Sequence, residues 1–244
     1  MSNCDQSMEF ARVLERADHD DLDDVFWRAF SGAQRALTVG TEWARRYAPG
    51  FSPILAFANP ARPDFAQLLP YFALGEHVYC PDWTGQAPTG WRIERDAKMV
   101  RMAWARGDAP AAPHIADAVP VEIRHAPQAL ELALLTNPGP FGLRTIELGD
   151  YLGVFEDGRL VAMAGERLHA GRLREVSGIC THPDVRGRGL AMQLTAQVIC
   201  RQLARGQVPF LHVMSGNVGA RALYERMGFV VYREVVVRIV SRTH

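Results

Sequence analysis

Lysine is almost absent from the sequence. The chain of 244 residues has a single lysine, Lys98, so arginine supplies nearly all of the positive charge. Basic and acidic residues number 27 each, and the formal net charge is zero. Proteins that bind nucleic acid usually present a strongly basic surface or tail. The charge balance therefore argues against a nucleic-acid partner.

Long apolar runs and paired cysteines are also missing. No uninterrupted apolar segment approaches the roughly 20 residues that cross a membrane, and the first residues lack the pattern of a secretory signal. The four cysteines, Cys4, Cys80, Cys180 and Cys200, do not have metal-binding spacing. We therefore expect a cytoplasmic protein with reduced thiols, without a metal ion and without a membrane partner.

The sequence divides into two unlike halves. Apolar residues make up 48% of the chain and charged residues 22%, which is typical of a soluble globular protein. Residues 105–114 are small, proline-rich and without a repeating pattern, which indicates a linker. We predict an N-terminal α/β domain over residues 1–118, of unclear role, and a second domain over residues 119–244.

The most informative stretch runs from residue 175 to residue 191. Apolar residues up to Cys180 predict a strand, which ends at the turn-forming His182-Pro183-Asp184. The segment Arg186-Gly187-Arg188-Gly189 follows, and a helical apolar pattern begins at Leu190. A glycine-rich turn between a strand and a helix directs N–H groups and the positive end of the helix dipole at one point. Such a place suits a phosphate group.

Three phosphate-binding patterns compete for this turn. A Walker-type loop needs a lysine after its last glycine, but Leu190 stands there. A dinucleotide fingerprint would place its third small residue at Met192, and no repeated βαβ pattern surrounds it. The third pattern, Arg-x-x-Gly-x-Ala, matches Arg186, Gly189 and Ala191. In these residues the chain resembles the pyrophosphate loop of the GNAT superfamily of acyl-CoA-dependent N-acyltransferases.

A second pattern follows a predicted buried strand at residues 208–214. The segment from Ser215 to Phe229 predicts a helix with an apolar face that includes Ala220, Tyr224 and Met227. The order Asn217, Ala220, Tyr224, Gly228-Phe229 is similar to the second half of the same superfamily signature. The resemblance covers residues 121–242.

The strand pattern of the second half predicts an α+β fold. Residues 151–155 and 160–168 form a hairpin around the turn Asp157-Gly158, and a third strand leads into the strand–helix–strand–helix order. The resemblance implies the GNAT fold here, a mixed and mostly antiparallel central sheet flanked by helices. It also raises the possibility that the N-terminal segment is a degenerate GNAT-like copy.

The resemblance implies an N-acetyltransferase that transfers the acetyl group of acetyl-CoA to a primary amine by direct attack in a ternary complex. Backbone groups of Ile179, Cys180 and Thr181 would bind the pantetheine arm, which requires the strand to separate from its neighbour. An N–H there, that of Cys180, would polarise the thioester carbonyl. The full set of residues implied for cofactor binding is Ile179, Cys180, Thr181, Arg186, Gly187, Arg188, Gly189, Leu190, Ala191, Asn217, Ala220 and Tyr224.

Two residues are implied to be catalytic. Tyr224 would protonate the departing CoA thiolate or donate a hydrogen bond to it, and Glu175 would accept the proton of the amine. The structural alternatives are a packed tyrosine and a salt-bridged strand residue beside Arg174. His182 is a rival base, although it borders the phosphate loop. Asn217 could cap its helix alone or also contact the pantetheine arm.

Several alternatives stay open. The chain could be a non-catalytic acyl-CoA sensor or interaction protein, or an acyltransferase with a longer acyl donor. A covalent route through Cys180 is a minor alternative. The acceptor is expected to be a small-molecule or peptide amine, with Phe141 and Glu147 as candidate contacts, and the protein a monomer or homodimer.

Overall fold

The computed structural model describes residues 14–110 and 118–243. Cys4 and the C-terminal end of the predicted linker lie outside the described residues. The α-helices in the described part are α1 (Arg16–Asp23), α2 (Val25–Ser31), α3 (Ala126–Thr136), α4 (Leu190–Ala204) and α5 (Val218–Met227). The 3-10 helices there are Arg35–Leu37, Phe65–Tyr71, Ile123–His125, Thr145–Leu148 and Pro183–Val185.

The strands form a small sheet and a large one. The strands are β1 (Thr38–Gly40), β2 (Ala44–Tyr47), β3 (Leu55–Phe57), β4 (His77–Pro81), β5 (Trp91–Trp104), β6 (Ala118–Pro120), β7 (Tyr151–Glu156), β8 (Arg159–Ala170), β9 (Leu173–Thr181), β10 (Val208–Met214) and β11 (Phe229–Arg242). The 3-stranded sheet has the order β1-β2-β3, and the 8-stranded sheet has the order β4-β11-β5-β10-β9-β8-β7-β6.

The large sheet is mostly antiparallel. Its one parallel ladder among the described residues joins β9 and β10, which are connected by the crossover helix α4. The turn of the β7–β8 hairpin has positive φ at Asp157 (50°) and Gly158 (77°), as two-residue hairpin turns require. The predicted α+β fold and the predicted hairpin are confirmed.

The large sheet crosses the predicted boundary at residue 118. Strand β5 lies between β10 and β11, with Ala103 opposite Phe210 on one side and Val230 on the other. The predicted linker therefore leads from a central strand of the sheet toward the edge strand β6. The described N-terminal residues supply two helices, the small sheet and two strands of the large sheet. This arrangement does not show a second, degenerate copy of the fold.

Apolar residues cover both faces of the large sheet. On one face, the N-terminal helices contribute Phe26 and Phe30 to a buried cluster with Phe210 of β10. On the other face, Leu194 of α4 and Tyr224 of α5 pack in a second cluster. Burial of each large apolar side chain stabilises the fold by about 1.5–3 kcal/mol. The N-terminal half is therefore part of the packing that holds the central strands.

Candidate functional site

Strands β9 and β10 separate in the middle of the sheet. Their parallel ladder joins only Leu173–Glu175 to Val208–Phe210, whereas β9 continues to Thr181 and β10 to Met214. Beyond the ladder, β9 remains paired with β8 and β10 with β5. The facing edges of the two strands therefore have no strand partner. Backbone N–H and C=O groups normally require a hydrogen-bond partner, which here a bound ligand could supply. This is the separation that binding of an extended arm would need.

A glycine bulge lies on β9 at the same level. Ser177 pairs with Gly165 and Cys180 with Met163, so β9 has one extra residue between these pairs. Gly178, within the bulge, has a φ of 63°, and a Cβ there would lie 2.8 Å from Cε1 of Tyr151. Glycine is therefore required both by the backbone and by the packing. Bulges bend strands, and this one lies where β9 leaves β10.

A cavity of about 300 Å³ occupies the opening. Asn217, Ala220 and Tyr224 line it from the side of α5, and Phe26 and Ile54 line it from the N-terminal half. These two groups belong to opposite faces of the sheet, so the cavity extends through the sheet between β9 and β10. The other lining residues are Tyr79, Pro81, Arg95, Ala97, Met99, Asn137, Pro138, Gly139, Pro140, Arg167, Val176, Ser177, Gly178, Ile179, His212, Val213, Met214, Val237 and Ile239.

The predicted phosphate loop precedes α4. Gly187 and Gly189 have φ values of 81° and 78°, and α4 begins at Leu190 without a side-chain cap. A Cβ added at Gly187 would have no atom within 4 Å. Open space therefore lies beside Gly187, next to the first turn of α4, which includes Ala191. The N–H groups of a first helical turn have no partner within the helix, and an anion fits such a place.

The two loop arginines are exposed and only partly engaged. Arg186 Nε donates to the carbonyl oxygen of Thr181 at 3.4 Å. Arg188 Nη1 lies 2.7 Å from Oε1 of Glu156. Surface ion pairs of this kind are weak, so either guanidinium is able to turn toward a phosphate.

Asn217 is the N-cap of α5 and Tyr224 lies about two turns further along this helix, and both line the cavity. Burial raises the pKa of the Tyr224 phenol to about 12, so the phenol keeps its proton at neutral pH. The side-chain oxygen of Asn217 accepts a hydrogen bond from the Ala220 N–H at 3.1 Å and caps the helix. The predicted cap is confirmed, and the same residue borders the opening.

The predicted pantetheine-binding segment has one residue in the cavity lining. Ile179 lines the cavity, whereas the Cys180 side chain is buried in the cluster under α3. Burial raises the pKa of the Cys180 thiol to about 12, which disfavours a thiolate nucleophile. The Thr181 hydroxyl is buried and has no hydrogen-bond partner in the described part of the chain.

Glu175 is fully buried and tightly held. Its carboxylate accepts hydrogen bonds from Arg167 Nε (2.8 Å) and Nη2 (2.7 Å), and from the Leu168 N–H (3.3 Å). The Nδ1 atom of His212 lies 2.8 Å from Oε1. Burial alone would raise the pKa of Glu175, but the charge of Arg167 and the hydrogen bonds from His212 and Arg167 outweigh it and lower the pKa to about 2.

His212 and two arginines complete a polar chain across four strands. Arg101 Nε donates to His212 Nε2 at 2.9 Å, and Arg101 Nη2 lies 3.2 Å from Oδ2 of Asp82. Burial lowers the pKa of His212 despite its contact with Glu175. Because Glu175 is ionised, we assign the proton of the neutral ring to Nδ1, which leaves Nε2 to accept from Arg101.

Sequence reasoning missed Arg167, His212 and Arg101. His212 is the one polar side chain in the otherwise apolar strand β10, which is a signal of a buried partner or a site. Arg167 and Arg101 lie in strands that carry several other charged residues, so the sequence does not single them out. Arg167 and His212 line the cavity, whereas Glu175, which holds both, does not.

Three other candidates do not line this cavity. Phe141 packs edge-on against Tyr151 with ring centres 6.1 Å apart. Glu147 forms an ion pair with Arg144 at 2.8 Å. His182 is buried, accepts from the Asp184 N–H at 3.2 Å and lies 2.5 Å from Nη2 of Arg159. No group of three or more potential metal-binding side chains occurs in the described residues, nor does any helix there have the length and apolarity to cross a membrane.

Comparisons with known proteins identify the family. The family model of FR47-like proteins matches residues 151–238. A solved structure from Novosphingobium aromaticivorans, assigned to the GNAT family of acetyltransferases, has 35% sequence identity and a TM-score of 0.82, and the match covers 91% of this chain and 99% of that one. No curated protein matches the chain. The chain belongs to the GNAT family of acetyltransferases.

More distant structures share the fold alone. A GCN5-related N-acetyltransferase from Kribbella flavida has 16% identity and a TM-score of 0.57, with 91% of this chain and 95% of that one covered. A GCN5-related N-acetyltransferase-like protein from Streptococcus suis also has 16% identity and a TM-score of 0.57, with 99% and 100% covered. Both matches include the N-terminal half, which therefore belongs to a recurring architecture.

Proposed function

We propose that this protein is an N-acetyltransferase that transfers the acetyl group of acetyl-CoA to a primary amine by direct attack in a ternary complex. The observation that carries the proposal is the opening between β9 and β10. It connects the side of the sheet that carries α5 with a cavity wall built by the N-terminal half. Donor and acceptor would meet there from opposite faces.

The donor would be held mainly by backbone groups. The N–H groups of residues 187–191 would bind the pyrophosphate, with Arg186 and Arg188 as charge partners. The free edge of β9 around Ile179 would pair with the pantetheine arm as an added strand does. The Cys180 N–H would donate a hydrogen bond to the thioester carbonyl and polarise it. Bound acetyl-CoA would supply an activated acyl group and a thiolate leaving group.

Tyr224 would stabilise or protonate the leaving thiolate. Its phenol lines the cavity and remains protonated because burial raises its pKa. A protonated phenol is able to donate a hydrogen bond to a sulfur atom that gains negative charge, or to transfer its proton. The role needs no change in the residue's ionisation before the reaction.

The amine must lose a proton before it attacks, because most amines are cationic at neutral pH. Glu175 is the predicted acceptor, but a carboxylate with a pKa of about 2 is a weak base. Arg95 and Arg167 line the cavity, and among the described residues no Asp or Glu does. Nearby cations lower the pKa of a bound amine. We therefore propose that water accepts the proton of the amine and that Glu175 holds Arg167 and His212 in place.

Positioning would supply much of the rate. Alignment of amine and thioester in one cavity removes about 7–11 kcal/mol of barrier in favourable intramolecular cases. No buried nucleophile is required, which agrees with the raised pKa of Cys180.

Release of free thiol from acetyl-CoA across a panel of amines tests the proposal. We expect amine-dependent release, with a mass increase of one acetyl group on the acceptor. Acetyl-CoA and a longer acyl-CoA should be compared as donors. Binding of CoA without thiol release for any amine would overturn the proposal and favour an acyl-CoA sensor.

A further inference from the structure

The charge of the cavity indicates which amine it accepts, given the proposed acyl transfer. Arg167 is 8% exposed, and its Nε and Nη2 atoms donate to Glu175. Its Nη1 atom makes no hydrogen bond to any residue in the described ranges 14–110 and 118–243. Arginine carries five N–H donors. A nearly buried donor that lacks an acceptor costs free energy, because it has lost its hydrogen bonds to water. The unused donors of Arg167 are therefore available to an acceptor in the cavity that this residue lines.

The surroundings direct these donors toward the ligand space. Arg167 lines the cavity together with the loop residues Asn137–Pro140. A Cβ added at Gly139 would lie 4.0 Å from Nη1 of Arg167, so the loop runs close to this atom. The backbone of Arg167 is also fixed, because its carbonyl oxygen accepts a hydrogen bond from Gln34 Nε2 at 2.7 Å. Gln34 thus fixes the backbone of Arg167 and Glu175 holds its guanidinium, which leaves Nη1 for a ligand.

A second cation strengthens the same field. Arg95 lines the cavity, is exposed, and has no ion pair with another described residue. No acidic side chain of the described residues lines the cavity. A simple alkylammonium would meet cations without a counter-charge there, whereas a ligand with its own carboxylate would satisfy Arg167 directly.

Much of the remaining cavity lining is apolar. The apolar lining includes Phe26, Ile54, Met99, Val237 and Ile239. Phe26 stacks on the His212 ring with centroids 5.0 Å apart. This surface suits an aliphatic or aromatic group of a ligand.

We propose that the acceptor is an amine that carries both a carboxylate and an apolar group, the chemistry of an apolar α-amino acid, and that Arg167 Nη1 binds the carboxylate. The amine would then lie between Arg167 on β8 and the free edge of β9. A peptide N-terminus lacks the nearby carboxylate and would be a poorer acceptor.

Matched acceptors test this substrate class. Leucine, methionine and phenylalanine should each be compared with the corresponding amide, using thiol release from acetyl-CoA by the full chain. We expect kcat/KM for at least one acid to exceed that of its amide by about tenfold or more, although the amide has the less basic amine. Equal or better turnover of all the amides would overturn the carboxylate site and leave the acetyltransferase proposal intact.

Binding provides a readout that does not depend on turnover. N-Acetylleucine and N-acetylleucinamide differ only at the carboxyl end, and each should be titrated by calorimetry into the protein saturated with CoA. Tighter binding of the acid supports the site even if no acceptor is turned over. Equal affinity, or binding of neither compound, contradicts it.

Two substitutions assign the effect to residues. Arg167→Lys keeps a positive charge for Glu175 but loses the forked donors, and should reduce the acid-to-amide ratio by about tenfold. Arg95→Gln removes an exposed charge without breaking an ion pair and should reduce the ratio by a few fold. Arg92→Lys, on the same strand but outside the cavity lining, is the control. An unchanged ratio in both cavity variants would contradict the assignment.

Discussion

Phe210 and Glu175 are the last residues that pair β10 with β9, and the two strands separate beyond them. Glu175 has no exposed surface at this point, because Arg167 and His212 surround its carboxylate. The end of the ladder and the buried charges therefore coincide. A continuous apolar sheet would close at this level, whereas here the polar chain borders an open cavity that reaches both faces.

The phosphate loop should lose CoA affinity when a side chain is added at Gly187. Gly187→Ala places a methyl group in open space at a φ of 81°, where it would obstruct an anion. Gly206→Ala is a matched control, since Gly206 has a φ of 69° and also has no atom within 4 Å of an added Cβ.

Both alanine variants should lose about 1 kcal/mol of unfolding free energy from backbone strain. Calorimetry with CoA should detect a loss of affinity of about tenfold or more for Gly187→Ala alone. Equal CoA affinity in the two variants would remove residue 187 from the binding site.

Tyr224→Phe should lower turnover and leave CoA affinity nearly unchanged. The phenol is buried, and its loss removes a proton donor whose contribution is typically about 10²–10⁴-fold in rate. Steady-state kinetics with the best acceptor, combined with CoA titration, measures both effects. Tyr71→Phe, at the surface, is the control. If Tyr224→Phe turns over as fast as the unchanged protein, Tyr224 has only a packing role.

Acid should destabilise the fold through Glu175. Its pKa falls from 4.5 to about 2 on folding, so the carboxylate binds fewer protons in the folded state than in the unfolded state near pH 4. The resulting stability, on the order of 3 kcal/mol, is present above about pH 5 and is lost as the pH falls toward 2.

Denaturant unfolding between pH 7 and pH 2 measures this dependence. Glu175→Gln should abolish that part of it and cost about 3–5 kcal/mol at neutral pH, because Arg167 would remain buried without a counter-charge. Glu234→Gln removes an exposed partner of Lys98 and should change stability little. An unaltered pH profile in Glu175→Gln would show that the pKa of Glu175 is not lowered.

The pH dependence of turnover separates the two roles given to Glu175. If the amine loses its proton to water, the midpoint of the acidic limb of kcat/KM should follow the pKa of the acceptor amine. It should then shift between acceptors of different basicity. Glu175→Gln should then lower the rate but leave the midpoint of the limb in place. A limb that disappears in this variant would instead assign the proton to Glu175, as the family resemblance implies.

Local sequence patterns were sufficient to predict the hairpin turn and the starts of the two C-terminal helices. The turn Asp157-Gly158, the glycines before α4 and the cap at Asn217 depend on residues that are close in sequence. The position of β5 could not be derived in this way. Its neighbours β10 and β11 lie more than a hundred residues further along the chain, and strand pairing of such range has no local signal.

The environment of Glu175 illustrates the same limit. Arg174 is the cation next to Glu175 in the sequence, but adjacent strand residues point to opposite faces of a sheet. Arg174 lies 3.9 Å from Glu166, whereas Glu175 pairs with Arg167 of the neighbouring strand. The four members of the polar chain lie on four different strands, and only the strand order brings them together.

Residue-specific amide hydrogen exchange with and without CoA tests the central claim most directly. If the arm of CoA lies in the opening, alternate amides of residues 176–181 and the amides of residues 187–191 should exchange more slowly in the complex, while those of β8 should change little. Tight binding of CoA with no added protection in either segment would contradict the account.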